Sequence, residues 1–226
     1  MIKAKTFLTL DTETVGLPPL NLVYDLGYTI HNKAGVIVAR RNWLIEDIIT
    51  DGRAMMGAFY AKKIFSFYIP ALDAQTVRLA KWVDVVEMLA ADIIDYDVDV
   101  VTAYNARFDV GALRATALKM QTGKILPRKV DLLCIWQFAC ETVLKSPSYH
   151  RAAAQHGWIS EAQNVRTTAE HTYKYITGQP DFVEGHTALS DAEIETEILA
   201  HCFRQKKKIP YNNLSGIPWR VAQVAA

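Results

Sequence analysis

The chain has 226 residues, of which half are apolar and 22% are charged, a composition that is typical of a globular protein and excludes a disordered or fibrous one. Its 25 basic and 24 acidic residues leave a net charge of +1, which excludes a generally cationic nucleic-acid or membrane binder but not a local basic groove. The three cysteines have no CxxC spacing, so we expect neither a disulfide framework nor a zinc site, and we expect a cytoplasmic location.

No segment of the sequence predicts a targeting signal or a membrane span. The apolar stretch near the N-terminus is interrupted at Asp11, which makes it too short for the core of a signal peptide. Nowhere do roughly 18 apolar residues follow one another, so we expect a soluble protein without a membrane partner.

The first part of the chain predicts three strands joined by short loops. Residues 7–10 form a β-rich run that leads directly into Asp11, and residues 24–30 form the second candidate. A loop that contains Gly35 then precedes a third candidate over residues 36–44. Three consecutive strands with short connections indicate an antiparallel meander.

Further along, the pattern alternates between helices and strands. Apolar spacing predicts helices over residues 78–91 and 110–120 and after Ser190, and β-branched runs predict strands over residues 98–104 and 130–136. We therefore expect an α/β fold with a mixed sheet and helices packed on it. We expect one domain over residues 1–205, with residues 206–226 as a C-terminal tail packed on that domain.

Two acidic residues follow the first predicted strand. Asp11 and Glu13 are two positions apart, so the alternation of a strand turns both side chains to one face. Two close carboxylates repel each other unless a cation lies between them, and hard oxygen ligands suit Mg²⁺ or Mn²⁺. Because such pairs also occur as surface acids at strand ends, this pair alone is weak support for a metal site.

Two further groups carry residues of related chemistry. Asn105 stands where it would cap the following helix, and Asp109 lies in the first turn, where a helix dipole favours an anion. His186 precedes Asp191 with four residues between them. Taken separately, Asp109 is explained as a helix-capping acid and His186 as a structural histidine. The three groups together, in this order and at element ends, are unexpected by chance, which indicates one shared site.

These segments resemble the three motifs of the DEDDh 3′–5′ exonucleases, the group that includes the proofreading subunit of bacterial replicative polymerase and the oligoribonuclease-like enzymes. The similar segments are residues 11–17 (DTETVGL), 104–109 (YNARFD) and 186–191 (HTALSD), and the resemblance covers about residues 6–203. The histidine before the last aspartate implies the DEDDh branch. The family's ribonuclease-H-like fold is a mixed five-stranded sheet, three strands antiparallel and two parallel, flanked by helices, which agrees with the elements predicted above.

The resemblance implies a role for each residue of the motifs. Asp11, Glu13 and Asp191 would bind a first divalent ion, while Asp11 would bridge to a second ion supported by Asp109. His186 would act as the general base, because a histidine that titrates near neutrality can accept a proton from the attacking water. The residues implied in holding the terminal nucleotide are Thr12, Thr14, Leu17, Asn105 and Phe108.

The sequence therefore predicts a metal-dependent 3′–5′ exonuclease that uses two Mg²⁺ or Mn²⁺ ions and releases nucleoside 5′-monophosphates from single-stranded DNA. Two alternatives stay open: an exoribonuclease that trims RNA, and a catalytically silent nucleic-acid-binding or polymerase-docking module on the same scaffold. The acid and base positions of the motifs are all intact, which disfavours the silent module. A polymerase or replication partner would be a separate chain, and the sequence indicates no oligomeric state.

Residues 59–68 interleave aromatic residues with Lys62 and Lys63. Such a stretch could stack single-stranded bases while its lysines meet phosphates, or it could form a lid. The favoured interpretation is a core helix or strand edge whose lysines extend to solvent.

Overall fold

A mixed β-sheet of six strands runs through the described part of the protein, in the order β4-β3-β2-β1-β5-β6. This description rests on a computed structural model that describes residues 5–58, 62–127, 129–205 and 209–223. The strands are β1 (Thr6–Val15), β2 (Leu22–Asn32), β3 (Ile37–Ile45), β4 (Arg78–Ala80), β5 (Val100–Ala103) and β6 (Asp131–Cys134). The first three strands are antiparallel, and β5 and β6 continue the sheet in parallel from β1. The predicted fold class is confirmed, with β4 as an additional edge strand parallel to β3.

Two boundaries differ from the prediction. Residues 78–91 have helical apolar spacing, but Arg78–Ala80 pairs with residues 43–45 of β3, and the helix begins only at Trp82. Local spacing cannot reveal this pairing, because the partner strand is distant in sequence. The first strand continues to Val15 rather than ending near residue 10, so the two motif acids lie within a strand instead of after it.

Within the described residues, ten helices surround the sheet. They are α1 (Glu46–Ile49), α2 (Gly52–Met55), α3 (Ile69–Asp73), α4 (Trp82–Asp95), α5 (Ala106–Lys119), α6 (Ile135–Thr142), α7 (Pro147–His156), α8 (Ala169–Thr177), α9 (Ala188–Gln205) and α10 (Trp219–Ala222). A π-helical turn (Ile64–Tyr68) directly precedes α3. The sequence pattern predicts none of α6, α7 and α8.

The alternation of β1 divides the apolar core between the two faces of the sheet. Leu8 and Leu10 belong to a buried cluster that includes residues of α4 and α5, such as Leu89 and Leu113. Phe7, which the pleat turns the opposite way, belongs to a second cluster with residues of α6, α7 and α9. Because helices cover both faces, the central strands are buried on both sides and carry almost continuous apolar sequence.

The N-terminus of α9 lies directly against the backbone of β2. A Cβ atom on Gly27 would come within 2.1 Å of the backbone nitrogen of Leu189, so a side chain at this position would force the helix away. Two residues earlier, Oδ2 of Asp25 accepts a hydrogen bond from the backbone nitrogen of Ala188 (3.1 Å). These contacts fix the first turn of α9 to the sheet.

Part of the predicted C-terminal tail lies within the described residues. The backbone nitrogen of Asn212 donates to the carbonyl oxygen of Leu132 in β6 (2.7 Å), and α10 buries Ala222. The remaining tail residues, 206–208 and 224–226, lie outside the described residues. Across the described ranges, no helix combines the length and apolarity needed to cross a membrane.

Candidate active site

The carboxyl ends of β1 and β5 form a cleft. β5 pairs with β1 only over residues 7–9, so Asp11 and Glu13 extend beyond the last residue pair between these strands. The chain leaves β5 at Ala103 and enters α5 at Ala106, close to this point. The carboxyl end of parallel strands is where open α/β sheets usually bind their ligands.

The five residues predicted to be catalytic all line one cavity of about 440 Å³ in this cleft. They come from β1, from the first turn of α5, from the loop before α9 and from the first turn of α9, and they are Asp11, Glu13, Asp109, His186 and Asp191. Asp11, Glu13 and Asp191 each offer a carboxylate oxygen, and the three oxygens lie within 4.8 Å of one another. The structure therefore brings together residues that are far apart along the chain.

Asp109 adjoins this group of three without belonging to it. Its Oδ1 accepts a hydrogen bond from the hydroxyl of Thr12 (2.8 Å). Burial and then the charge of Asp109 hold the pKa of Asp11 well above its usual range. Asp11 is thus repelled by the other acids of the cleft.

The acids of the cleft repel one another in a poorly solvated space. Burial, followed by the charge of Asp191, raises the pKa of Glu13 to about 9. Burial raises the pKa of Asp109 to about 7 and that of Asp191 to about 6, although hydrogen bonds from Thr12 and Ser190 respectively oppose these shifts. Among the described residues that line the cavity there is neither lysine nor arginine. Such a concentration of negative charge favours binding of an external cation.

Two helix N-termini supply part of the missing positive charge. Asp109 lies in the first turn of α5 and Asp191 in the first turn of α9, which have 14 and 18 residues. The partial positive charge at the start of each helix stabilises an acid placed there. Asn105 occupies the predicted N-cap position of α5, but its side chain makes no capping hydrogen bond.

His186 lies in the loop that enters α9. Its backbone has a left-handed conformation, with φ of +50°, and its Nδ1 lies 3.6 Å from Oε2 of Glu184. Burial and the nearby charge of Lys63 lower the pKa of the imidazole. A neutral imidazole at physiological pH can accept a proton.

Three of the five residues predicted to hold the nucleotide line the same cavity. They are Thr12, Asn105 and Phe108. Thr14 and Leu17 are outside this lining, and the Leu17 side chain is 82% exposed in the loop after β1. The prediction for these two residues therefore has no support from the cavity geometry.

A second cavity, of about 390 Å³, adjoins the first and shares Asn105 and Phe108 with it. Its lining contains no acidic residue among the described ones, and it includes Arg107 in the first turn of α5. Gly216 also lines it, and a Cβ atom there would come within 2.4 Å of Nη1 of Arg107. The C-terminal segment thus forms one wall of this space.

The sequence motifs do not assign four further residues to the site region. Glu195 lies four positions after Asp191 on the buried face of α9, and its Oε2 accepts a hydrogen bond from the backbone nitrogen of Tyr104 (2.9 Å). This spacing of four, together with the apolar positions around it, could have revealed Glu195. The other three are Asp25 opposite Glu13 in the hairpin register, Glu184 beside the histidine, and Lys63 from the aromatic stretch.

The comparisons with known proteins concern the fold. No protein-family model matches the chain, and no curated protein sequence matches it. A structure of E. coli exonuclease I in complex with a 5cy-dT13 oligonucleotide is similar, with 12% identity over 88% of this chain and 41% of that one, and a TM-score of 0.51. E. coli exonuclease I in complex with a dA16 oligonucleotide gives 14% identity over 89% of this chain and 41% of that one, with a TM-score of 0.51.

A product-bound structure of exonuclease I gives 14% identity over 87% of this chain and 42% of that one, with a TM-score of 0.53. The chain therefore spans about two-fifths of the length of these proteins. Identities this low establish a shared architecture and no more. The chain has the ribonuclease-H-like mixed α/β fold that is also found in exonuclease I.

Proposed function

We propose that the protein is a metal-dependent 3′–5′ exonuclease that acts on single-stranded DNA. The observation that carries the proposal is the convergence of four acids and His186 in one cavity. The shared fold supports a nucleic-acid substrate, because two of the similar exonuclease I structures contain the oligonucleotides dT13 and dA16. Release of nucleoside 5′-monophosphates from the 3′ end is the reaction that the resemblance of the motifs implies.

The donor set fits divalent cations. Asp11, Glu13 and Asp191 present hard oxygen ligands within 4.8 Å of one another, and burial raises the pKa of each of these acids. They would hold one Mg²⁺ or Mn²⁺ ion, and Asp11 with Asp109 would hold a second. Such ions stabilise the negative charge that develops on the phosphate and on the attacking and leaving oxygens of an in-line displacement.

His186 is the residue proposed to take the proton from the attacking water. Burial lowers the pKa of its imidazole, which keeps the ring neutral and ready to accept a proton. Glu184 lies 3.6 Å from Nδ1, close enough for its charge to act on the ring. A carboxylate at this position would also stabilise the imidazolium that forms.

The adjoining cavity is proposed to hold the end of the strand. It is mostly apolar and free of acids among its described lining residues, and Phe108 and Pro19 offer surfaces for a base. Arg107 offers a guanidinium for a phosphate. Thr14 and Leu17, which the resemblance also implies in nucleotide binding, lie outside the linings of both cavities.

Digestion of a 3′-labelled single-stranded oligonucleotide with Mg²⁺ or Mn²⁺ tests the proposal. We expect mononucleotide products from the wild type, and a loss of roughly 10²–10⁴-fold in kcat for His186→Gln and at least as much for Asp11→Asn. Matched controls are Asp84→Asn and His156→Gln, whose side chains are exposed outside the cleft. Unchanged rates in both cleft variants would refute the assignment.

Matched DNA and RNA oligonucleotides separate the remaining alternatives. Faster digestion of the ribose strand would identify an RNA-trimming enzyme, because the 2′-OH is the group that distinguishes the two substrates. Tight binding of DNA without turnover in Mn²⁺ would instead identify a silent binding module. A substrate blocked at its 3′ end and still digested would contradict the proposed polarity.

A further inference from the structure

Lys63 comes from a segment that the proposed mechanism does not otherwise use. In this segment Tyr68 is buried, and its hydroxyl donates to Oδ2 of Asp25 (2.8 Å). Its ring also packs edge-on against that of Tyr24, with 5.9 Å between the centroids. Phe65, by contrast, is 78% exposed. Tyr68 therefore anchors the segment to β2, at the same carboxylate that holds the start of α9.

Residues 59–61 of the aromatic and basic stretch lie outside the described residues. The described part matches only in part the favoured interpretation, a core element whose lysines extend to solvent. Tyr68 is buried as a core residue would be, and Lys62 is exposed, but Lys63 extends towards the loop before α9 rather than into solvent.

The ammonium group of Lys63 holds the backbone at the proposed general base. Its Nζ donates hydrogen bonds to the carbonyl oxygens of both Gly185 and His186. Two successive carbonyl groups bound to one cation fix the orientation of the peptide between them. The chain has a left-handed backbone at His186, with φ of +50°, which is unfavourable for a residue other than glycine and therefore needs support from its surroundings.

The loop that Lys63 holds lies tightly against the first turn of α9. A Cβ atom on Gly185 would come within 2.8 Å of the hydroxyl oxygen of Ser190, next to Asp191. The Ser190 hydroxyl in turn donates to Oδ1 of Asp191 (3.0 Å). A displacement of the loop would therefore move both the His186 imidazole and, through Ser190, the carboxylate of Asp191.

Lys63 also acts on the acids through its charge. Burial raises the pKa of Glu13, Glu184 and Asp191, and the Lys63 ammonium opposes the rise in each of them. Lys63 is not among the residues that line the 440 Å³ cavity, so its charge acts on the acids from outside that lining. This placement favours support of the site over direct contact with the strand.

We propose that Lys63 is a positioning residue, which sets the orientation of the His186 imidazole by binding the carbonyl groups of residues 185 and 186. The proposal rests on the exonuclease function proposed above. Lys63 acts through His186 and does not contact the reacting atoms, so its loss should slow the chemical step more than it weakens substrate binding.

The test compares two adjacent lysines in the full chain. Lys63→Met removes the contact, and Lys62→Met removes the same charge from the neighbouring exposed position. Lys63→Arg keeps a cation that can donate to two carbonyl groups. For each variant we would measure kcat and KM on a single-stranded oligonucleotide, and the amide hydrogen exchange of residues 185–188 by mass spectrometry.

We expect Lys63→Met to lower kcat by about 10- to 100-fold, the loss that a small misplacement of a reacting group produces, with KM changed by less than about 2-fold. Exchange at residues 185–188 should become faster in this variant alone, and Lys63→Arg should restore part of kcat. Equal effects of the two methionine variants would overturn the proposal, since they would indicate general attraction of a polyanion. A raised KM with unchanged kcat would also overturn it, because Lys63 would then contact substrate.

The exchange measurement keeps this proposal separate from the proposed function. If the wild type cleaves no oligonucleotide, the exonuclease proposal fails, whatever the lysine does. Faster exchange in Lys63→Met but not in Lys62→Met would still support the contact with the loop, and equal exchange in both would refute it.

Discussion

One buried acid, Asp92, and the group of buried acids in the cleft differ in how their charge is balanced. On one side of the sheet, Asp92 accepts hydrogen bonds from the hydroxyl of Tyr28 (2.8 Å) and from Nη2 of Arg41 (3.0 Å), and Nε of Arg41 lies 3.0 Å from its other oxygen. In the cleft, several acids share one cavity whose described lining has no arginine or lysine. Arg41 therefore balances the charge of Asp92, whereas no arginine or lysine among the described lining residues balances the negative charge of the cleft acids.

The difference separates a structural acid from acids suited to function. A buried carboxylate with a bidentate arginine is satisfied and contributes to the fold, whereas crowded carboxylates without such a partner cost stability unless a cation arrives from outside. Lys63 reduces this imbalance without removing it, because burial still raises the pKa of Glu13 to about 9. Four predictions would break or sharpen this contrast.

The largest effect is expected at Asp92, the acid whose charge is balanced by Arg41. Asp92→Asn should lower the free energy of unfolding by about 3 kcal/mol, because it leaves Arg41 without its charged partner in a partly buried position. Chemical denaturation measures this loss. Asp84→Asn, an exposed change on the same helix α4, should stay within about 0.5 kcal/mol of the wild type. Similar stabilities of the two variants would remove the contrast.

The second prediction is that Mg²⁺ stabilises the folded protein by binding the acids of the cleft. Burial raises the pKa of Glu13 from its ordinary value of 4.5 to about 9 in the folded chain, so the metal-free protein loses stability as the pH rises between these two values. Mg²⁺ at about one hundred times its Kd should restore about 2.7 kcal/mol.

Because the ligands must lose their protons to bind, the rise in Tm produced by Mg²⁺ should be larger near pH 8.5 than near pH 6. Differential scanning fluorimetry with and without EDTA measures this difference. An equal rise at both pH values, or an equal rise in Asp11→Asn, would mean that Mg²⁺ binds elsewhere.

Neutralising the central acid of the cleft should stabilise the metal-free protein. Asp11→Asn removes repulsion from Asp109 and Glu195, and we expect a gain on the order of 1 kcal/mol that is larger near pH 9 than near pH 6, because more of the cleft acids are ionised at the higher pH. Thermal unfolding in EDTA at the two pH values measures the gain. Destabilisation at the higher pH would show that Asp11 is a structural acid like Asp92.

The smallest effect is expected beside the cleft, where positive charge faces the proposed strand. Arg107→Ala should raise KM by about 3-fold, the loss of one solvent-exposed contact with phosphate, with kcat nearly unchanged. Arg114→Ala, on the same helix but lining another cavity, is the matched control. Gly216→Ala should have a smaller effect in the same direction, because its Cβ would displace the Arg107 guanidinium. Equal KM values for Arg107→Ala and Arg114→Ala would exclude the subsite.

The sequence predicts the site better than it predicts the surroundings of the site. The motif acids stand in local patterns, and it is the order of these patterns and their resemblance to the exonuclease motifs that predict a shared site for Asp11, Asp109 and Asp191. Asp25 and Glu184 were missed because their importance depends on what lies opposite them in space, such as the start of α9 and the imidazole.

The same reason explains the errors in the fold. β4 has apolar spacing suited to a helix, and only its pairing with β3 makes it a strand. Lys63 was noticed as a charge among aromatic residues, but its contact with residues 185 and 186 joins parts of the chain separated by 122 positions in sequence. Periodicity describes a neighbourhood of a few turns and cannot predict contacts of that range.

The contact between the backbones of Gly27 and Leu189 limits how far α9 can move relative to the sheet. Because the peptide of Leu189 rests on β2 without any intervening side chain, no rotamer at this contact can change the spacing between the backbone of β1, which carries Glu13, and the backbone of α9, which carries Asp191. The main-chain positions from which the two acids reach a shared cation are thus set by van der Waals contact between two backbones.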